Sequence, residues 1–221
     1  MATESFKDLN TLVNHFESVP WCGEVLRAPG VVPFVPCSRL DPQQLPEGAL
    51  PSRDQLFRRL LDNDEGVPYI LGFYRDPLLQ PESALKAANL PFLAPSISIL
   101  FELRSGLSGF NAFAHGGFIG TMMDEVMGTL LFQNDLVNRD AKAKGLIPAS
   151  AKDFTTTGYV TAHMEISYRK PLVIPRIVVA TATIDRSEGR KAYMNVVIKD
   201  GDDREYAIGR GTWISIPRPK L

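Results

Sequence analysis

Two acidic residues lie on an otherwise apolar segment, close to a histidine and a pair of glycines. The segment begins His115-Gly116-Gly117 and carries its acids at Asp124 and Glu125. A charged carboxylate in apolar surroundings costs on the order of several kcal/mol unless it has a partner. Acids in such a place are therefore either neutralised or kept for chemistry, and we take both as candidate reactive groups.

The elements that must position these residues can be predicted from the patterns around them. Residues 116–133 are apolar on almost every side, which predicts a helix buried by its surroundings. Five segments are alternating or rich in β-branched residues, and short turns between the last four favour antiparallel pairing. The predicted fold class is α+β, with one antiparallel sheet wrapped around a central helix. The predicted strands are Ser96–Leu103, Gly158–Tyr168, Ile177–Ile184, Tyr193–Ile198 and Glu205–Ile216.

Proline divides the chain into two parts. Twelve of the seventeen prolines lie between Pro20 and Pro95, where they disfavour long helices and central strands. Apolar spacing predicts one amphipathic helix within Ser5–Ser18, and a second is predicted to begin at Ser52–Gln55. We expect residues 1–95 to form a helical and irregular extension packed on the core, and residues 96–221 to form the core domain.

Composition excludes several classes of function. The net charge of −1 and the pI near 6.3 show no excess of basic residues of the kind that binds nucleic acid. No apolar stretch reaches the roughly 18 residues that a membrane span needs. The acidic amino terminus differs from secretory and transit signals, so a cytoplasmic location is expected. Residues 219–221 are Pro-Lys-Leu, which differs from the peroxisomal Ser-Lys-Leu signal at one position and makes that compartment a weaker alternative.

The cysteines and histidines do not predict a metal site. Cys22 and Cys37 belong to no CxxC pattern, HExxH is absent, and His15 and His163 are isolated. We therefore expect no bound metal, and a disulfide between the two cysteines is the less favoured alternative.

A second motif accompanies the glycine pair. The predicted second strand carries Thr161 near its start and ends in Tyr-Arg-Lys-Pro at 168–171. In the order of strand, His-Gly-Gly helix with its aspartate, and four further strands, residues 96–216 resemble hotdog-fold acyl-CoA thioesterases of the phenylacetyl-CoA type. The resemblance implies a hotdog fold and an acyl-CoA substrate, of which coenzyme A is a part. It also implies hydrolysis without a metal or redox cofactor.

Thioester hydrolysis gives these residues roles. Free N–H groups at a helix start stabilise a developing oxyanion, and Gly116 allows close approach because it has no side chain. Asp124 would act as a general base on water or attack the thioester directly, and both routes remain open. Thr161 could hold the attacking water. His115 could be a general acid, although a histidine just before a helix more often orders the loop, and Glu125 could replace Asp124.

Helix geometry predicts self-association. Gly116 and Asp124 are eight residues apart, which corresponds to roughly 12 Å along one helix. The two groups can reach one thioester carbon only if they come from two antiparallel copies of the helix, facing each other across a dimer. We expect a homodimer or a dimer of dimers, as the resemblance also implies.

The remaining candidates are assigned to substrate binding. Basic residues at strand ends could pair with the phosphates of coenzyme A, although such residues usually only face solvent. Members of the resembled family often carry Asn or Gln six residues before the His of the motif. Here that position is Gly109, and the nearest amide is Asn111. The candidate binding residues are Gly117, Asn111, Glu125, Arg169, Lys170, Arg190 and Lys191.

The predicted function is hydrolysis of a small or medium acyl or aroyl thioester by an acyl-CoA thioesterase. One alternative is a hotdog enzyme of a biosynthetic pathway that releases or reshapes a carrier-bound acyl or polyketide chain. Another is a non-catalytic acyl-CoA-binding dimer, which the missing amide at Gly109 favours. The sequence does not identify the acyl group.

Overall fold

The computed structural model describes residues 6–41, 43, 54–79, 92–145 and 157–217. The α-helices are α1 (Leu9–Glu17), α2 (Pro20–Leu26) and α3 (Gly116–Ala143). The first strands are β1 (Val31–Phe34), β2 (Ile70–Arg75), β3 (Ser96–Leu103), β4 (Ser108–Phe110) and β5 (Phe113–Ala114). The remaining strands are β6 (Thr157–Tyr168), β7 (Arg176–Glu188), β8 (Lys191–Lys199) and β9 (Glu205–Pro217). Short 3-10 segments span Cys37–Arg39, Pro77–Leu79 and Ser105–Leu107, and a π-helical turn spans Leu56–Leu60.

Seven strands form one sheet in the order β1-β2-β3-β7-β8-β9-β6, and β4 pairs with β5 in a separate hairpin before α3. Every neighbouring pair in the large sheet is antiparallel. Helix α3 packs against this sheet and contributes a central row of buried methionines and leucines to the main core. The predicted hotdog architecture is therefore confirmed, and each of the five predicted strands is present at its expected place.

Small residues on β9 let α3 lie close to the sheet. A Cβ atom on Gly209 would lie 3.1 Å from the sulfur of Met123, and one on Gly211 would lie 2.5 Å from the sulfur of Met127. A larger residue at position 211 would therefore force the Met127 side chain to move. The flexible methionines fill the space that the missing side chains leave.

Helix α3 continues ten residues beyond its predicted end near Gln133, to Ala143. The prediction stopped where polar residues begin, but these find partners in the structure. The buried Asn134 amide accepts a hydrogen bond from the N–H of Ala94 at 2.9 Å and donates to the Ala94 and Leu130 carbonyls at 2.9 Å. Because its amide is satisfied, Asn134 costs little in the interior and the helix continues through it.

The proline-rich part supplies two strands that were not predicted. The prediction of only irregular structure and two helices there was wrong, because β1 and β2 extend the same sheet beyond β3. Pro33 lies in β1, the edge strand, where a missing N–H is tolerated.

Of the two helices predicted in this part, one is present and the other is only a short turn. The first is confirmed as α1, whose N-cap Asp8 accepts a hydrogen bond from the N–H of Thr11 at 2.7 Å. The predicted second helix is only the π-helical turn Leu56–Leu60, and residues 52 and 53 of its predicted start lie outside the described residues. Helix α2, which begins with Pro20, was not predicted.

Helix α1 packs its apolar face on the sheet in a second core. Leu12 and Phe16 are buried there with Leu71 of β2 and Leu100 of β3. Among the described residues, no helix is both long enough and apolar enough to cross a bilayer. Cys22 and Cys37 are both buried and are not joined in a disulfide, so the less favoured alternative is not formed.

Truncation of Phe16 to alanine is expected to lower the free energy of unfolding by about 3–5 kcal/mol, because the side chain is fully buried between α1 and the sheet. Urea unfolding at equilibrium measures the change. Asn10→Ala, on the exposed side of the same helix, is the matched control and should change the free energy by less than about 0.5 kcal/mol. Equal stability of the two variants would mean that α1 is an inert tail.

Candidate active site

The start of α3 is shaped by His115. This residue is the N-cap of the helix, and its Nδ1 accepts a hydrogen bond from the N–H of Gly117 at 3.0 Å. The first N–H groups of a helix have no acceptor within the helix, and the His115 ring satisfies the one on Gly117. The N–H of Gly116, the first helical residue, is thus the candidate oxyanion donor, and His115 lies where it orders the loop.

Strand β6 anchors the same helix start. The Tyr168 hydroxyl donates a hydrogen bond to the carbonyl of Gly116 at 2.9 Å. Further along, a Cβ atom on Gly120 would meet the side chains of Met164 and Ile166. Helix α3 and β6 therefore lie side by side and run in opposite directions.

Asp124 lies at the far end of this contact. The Thr161 hydroxyl donates a hydrogen bond to Oδ1 of Asp124 at 2.6 Å, and Thr161 is exposed while Asp124 is partly buried. The bond fixes the orientation of the carboxylate and leaves its other oxygen available. Within one chain, however, the rise of α3 keeps Asp124 roughly 12 Å from Gly116.

Glu125 faces the opposite way, towards the proline-rich extension. The Ser38 hydroxyl donates to Oε1 of Glu125 at 2.5 Å, and the Thr129 hydroxyl lies 3.4 Å from the same oxygen. Burial raises the pKa of Glu125 to about 7, and the charges of Asp54 and Asp124 add to this effect while the two hydrogen bonds oppose it. The two neighbouring acids therefore occupy different environments, and only Asp124 faces β6.

Ser38 belongs to a buried polar network that sequence reasoning missed. Its neighbour Arg39 forms an ion pair with Asp62 at 2.6 Å and donates to the Val67 carbonyl at 2.6 Å. Burial lowers the pKa of Arg39, and the charge of Asp62 opposes the shift. A lone serine among prolines gives no sequence signal for such a role.

Replacement of Glu125 by glutamine is expected to remove a pH dependence of stability. The pKa of Glu125 is about 7 in the folded protein and 4.5 ordinarily, so its stabilising contribution is complete below pH 4.5 and is lost as the pH rises through 7. The loss is on the order of 3 kcal/mol. Urea unfolding should show near-equal stability of the variant and the native protein at acid pH, and a more stable variant at alkaline pH. A difference that does not change with pH would contradict this assignment.

No side chain fits at Gly109, six residues before His115, where the resembled family often carries Asn or Gln. A Cβ atom on Gly109 would lie 2.9 Å from the Cα and Cδ2 atoms of His115. The nearest amide, Asn111, lies in the exposed turn between β4 and β5 with a φ of 40°. The ring that caps α3 thus takes the space of a second carbonyl donor.

The four basic candidates lie at two ends of the sheet. Arg169 and Lys170 follow β6, which ends where Tyr168 pairs with Ala207. Arg190 and Lys191 lie at the turn between β7 and β8, where Lys191 pairs with Ile214. Seven residues of β9 separate these positions, or roughly 23 Å, so one protomer does not bring the four together.

Trp213 is a neighbour of the site that sequence reasoning also missed. It pairs with Thr161 across β6 and β9, and its ring lies over Gly128, one helical turn after Asp124. Within the described residues, no group of three His, Cys, Asp or Glu side chains is placed to hold a metal ion.

Comparison with known proteins gives a family match and distant relatives. A family model described as "Thioesterase superfamily" matches residues 111–207. The chain is 25% identical over 185 residues to verlamelin biosynthesis protein B of Lecanicillium sp, covering 76% of each protein. It is 27% identical over 153 residues to an acyl-coenzyme A thioesterase of Rattus norvegicus, covering 69% of this chain and 50% of that relative. A solved Streptococcus mutans protein bound to acetyl CoA aligns at 17% identity and a TM-score of 0.44, covering 57% of this chain and 85% of that one.

Proposed function

Residues 111–207 belong to the thioesterase superfamily, and on that premise we propose that this protein is an acyl-CoA thioesterase acting on a small or medium acyl or aroyl thioester. The observation that carries the proposal is the position of Asp124. It lies on α3, the helix that begins with the Gly116 N–H, and Thr161 of β6 donates a hydrogen bond to it at 2.6 Å. A carboxylate and a helix amino terminus are the two functions that thioester hydrolysis needs.

The reaction would proceed through a tetrahedral oxyanion. The N–H of Gly116 and the partial positive charge of the helix start would stabilise the oxyanion without reorganisation. Asp124 would either take a proton from the attacking water or attack the thioester carbon itself. Because these groups supply both activation and charge stabilisation, we propose hydrolysis without a metal or redox cofactor, with coenzyme A only as the leaving group.

We propose that the active unit is a homodimer or a dimer of dimers. Strand β6 is at the edge of the sheet, and it exposes 44% of Val160 and 54% of Tyr168. An exposed strand edge can pair with a second copy. A two-fold axis near Gly120 would place Gly116 of one protomer beside Asp124 of the other.

The same two-fold axis accounts for the separated basic residues. It would carry Arg169 and Lys170 of one protomer to the end of the shared site where the other protomer has Arg190 and Lys191. All four could then approach the phosphates of one coenzyme A molecule from two protomers.

The test of the function is steady-state hydrolysis of a panel of acyl-CoA and aroyl-CoA thioesters, followed with a thiol reagent. Release of coenzyme A from at least one member with saturation kinetics is the expected result. Tight binding of acyl-CoA without turnover would instead establish a non-catalytic binding dimer, in which the closed position at Gly109 explains the missing activity.

A second candidate function is release or reshaping of a carrier-bound acyl or polyketide chain. It is favoured by the similarity to verlamelin biosynthesis protein B, which extends over 76% of this chain. Activity on acyl groups attached to a carrier protein, with none on the matching CoA thioesters, would select this function over the first.

Removal of the Thr161 hydroxyl is expected to lower kcat/KM by about 10- to 100-fold, because a hydrogen bond to a charged carboxylate is worth about 1.5–3 kcal/mol. Thr161→Ala removes the bond to Asp124, whereas Thr161→Ser keeps it and is the matched control. The serine variant should retain most of the activity. Similar kinetics for both variants would show that Thr161 only shapes β6.

An intracellular location is also proposed. The two cysteines form no disulfide, and burial raises the pKa of the Cys22 thiol to about 12, so this thiol suits a reducing compartment without being reactive. Cell fractionation with a tagged chain would separate the cytoplasmic location from the weaker peroxisomal one.

A further inference from the structure

One face of α3 beside the candidate site is partly open to solvent. Gly117 is exposed on this face, and Thr121, Asp124 and Gly128 are partly exposed, whereas 129–135 are buried. These four residues follow one another at intervals of three or four, so they form one stripe along the helix. We call this stripe the α3 face; it runs past Asp124 and ends at Gly128.

The indole of Trp213 covers the end of the α3 face. A Cβ atom on Gly128 would lie 3.0 Å from Cη2 and 3.6 Å from Cζ3 of Trp213, so the six-membered ring lies directly over this glycine. Trp213 is only 7% exposed, and its strand partner Thr161 holds Asp124. The ring of Trp213 therefore forms a wall one helical turn beyond the candidate catalytic carboxylate.

Hydrogen bonding does not account for the indole at this position. Nε1 of Trp213 is buried and has no hydrogen-bond partner among the described residues. An unsatisfied buried donor of this kind is unfavourable, and phenylalanine would fill much of the same space without it. The property of Trp213 that the site can use is the size and flatness of its ring.

The chemistry of acyl-CoA indicates which part of the substrate meets this wall. The pantetheine and phosphate groups are polar, whereas the acyl group is apolar and is best placed against an aromatic ring. Resting on the proposed thioesterase function, we infer that Trp213 determines acyl specificity by covering the α3 face beyond Asp124, so that the enzyme takes short or compact acyl groups.

The test is a series of straight-chain acyl-CoA thioesters of increasing length, assayed with the native protein, Trp213→Leu and Trp213→Phe. Each additional methylene that the leucine variant buries is worth up to about 0.8 kcal/mol, or about fourfold in kcat/KM. The leucine variant should therefore prefer longer chains than the native protein by several carbons. Trp213→Phe keeps an aromatic wall and is the matched control, so its preference should stay close to the native one.

An unchanged chain-length profile in Trp213→Leu would overturn the inference. Thermal unfolding serves as the folding control, and Trp213→Phe should be at least as stable as the native protein because it lacks the unsatisfied N–H. If the leucine variant does not fold, the binding experiment below decides the inference by itself.

Binding can be followed independently of turnover. The chain has two tryptophans, so Trp21→Phe leaves Trp213 as the single indole reporter. Fluorescence titration of this variant should show a response to short acyl-CoA thioesters that is absent with coenzyme A alone and declines for chains too long to fit beside Trp213. A response without hydrolysis of any thioester would refute the proposed function, but it would support the contact between Trp213 and the acyl group. Hydrolysis without such a response would refute that contact and leave the proposed function standing.

Discussion

Replacement of Asp124 by asparagine is expected to lower kcat by about 10²- to 10⁴-fold, the range typical of losing a positioned acid–base group. Asparagine keeps the size of the side chain, and its carbonyl oxygen can still accept the hydrogen bond that Thr161 donates at 2.6 Å. It can neither take a proton from water nor attack a thioester carbon. Steady-state kinetics with the best substrate of the acyl-CoA panel measure the loss.

Glu125→Gln is the matched control for this prediction, because it neutralises the adjacent acid without touching β6. The control should retain kcat within about an order of magnitude, since Glu125 faces Ser38 rather than the side of α3 that carries Asp124. The opposite pattern, in which Asp124→Asn stays active and Glu125→Gln does not, would transfer the catalytic role to Glu125.

Replacement of Gly116 by proline is expected to lower kcat by about 10²- to 10³-fold, the cost of one oxyanion donor. Gly116 is the first residue of α3, where proline is well tolerated and removes only an N–H that the helix does not use. His115 before it has a ψ of 132°, which suits a residue preceding proline. Gly116→Ala keeps the N–H, and its Cβ would lie 3.4 Å from the Tyr168 hydroxyl, so it should remain active.

Mixing the two defective proteins tests whether the site is shared between protomers. If Gly116 of one chain serves Asp124 of the other, a heterodimer of the proline and asparagine variants contains one site with both defects and one intact site. Equal, randomly exchanged mixtures should then recover about a quarter of the native activity. Mixtures that stay as inactive as their components, after exchange is shown by mass spectrometry of the dimer, would mean that each chain uses its own pair of groups.

The sequence by itself determined most of the secondary structure that follows residue 95. The strands β3 and β6 to β9 and the start of α3 follow from local patterns: alternation, β-branched residues, short turns and a histidine before two glycines. These signals lie within a few residues of the elements that they specify. The separation of Gly116 from Asp124 also needed only the rise of a helix, because both residues lie on one element.

The tertiary structure alone decided the contacts between distant parts of the chain. Ser38 and Glu125 are 87 residues apart, and Ala94 and Asn134 are 40 apart, so local patterns do not reveal either pair. The backbone of Ala94 satisfies the Asn134 amide, so α3 continues through its polar end to Ala143. Burial raises the pKa of Glu125 to about 7, although the hydrogen bond from Ser38 opposes the shift. Strands β1 and β2 joined the sheet, despite Pro33 within β1, because the edge of β3 offered unpaired backbone groups. Such a preference depends on the completed sheet and is not a property of either segment.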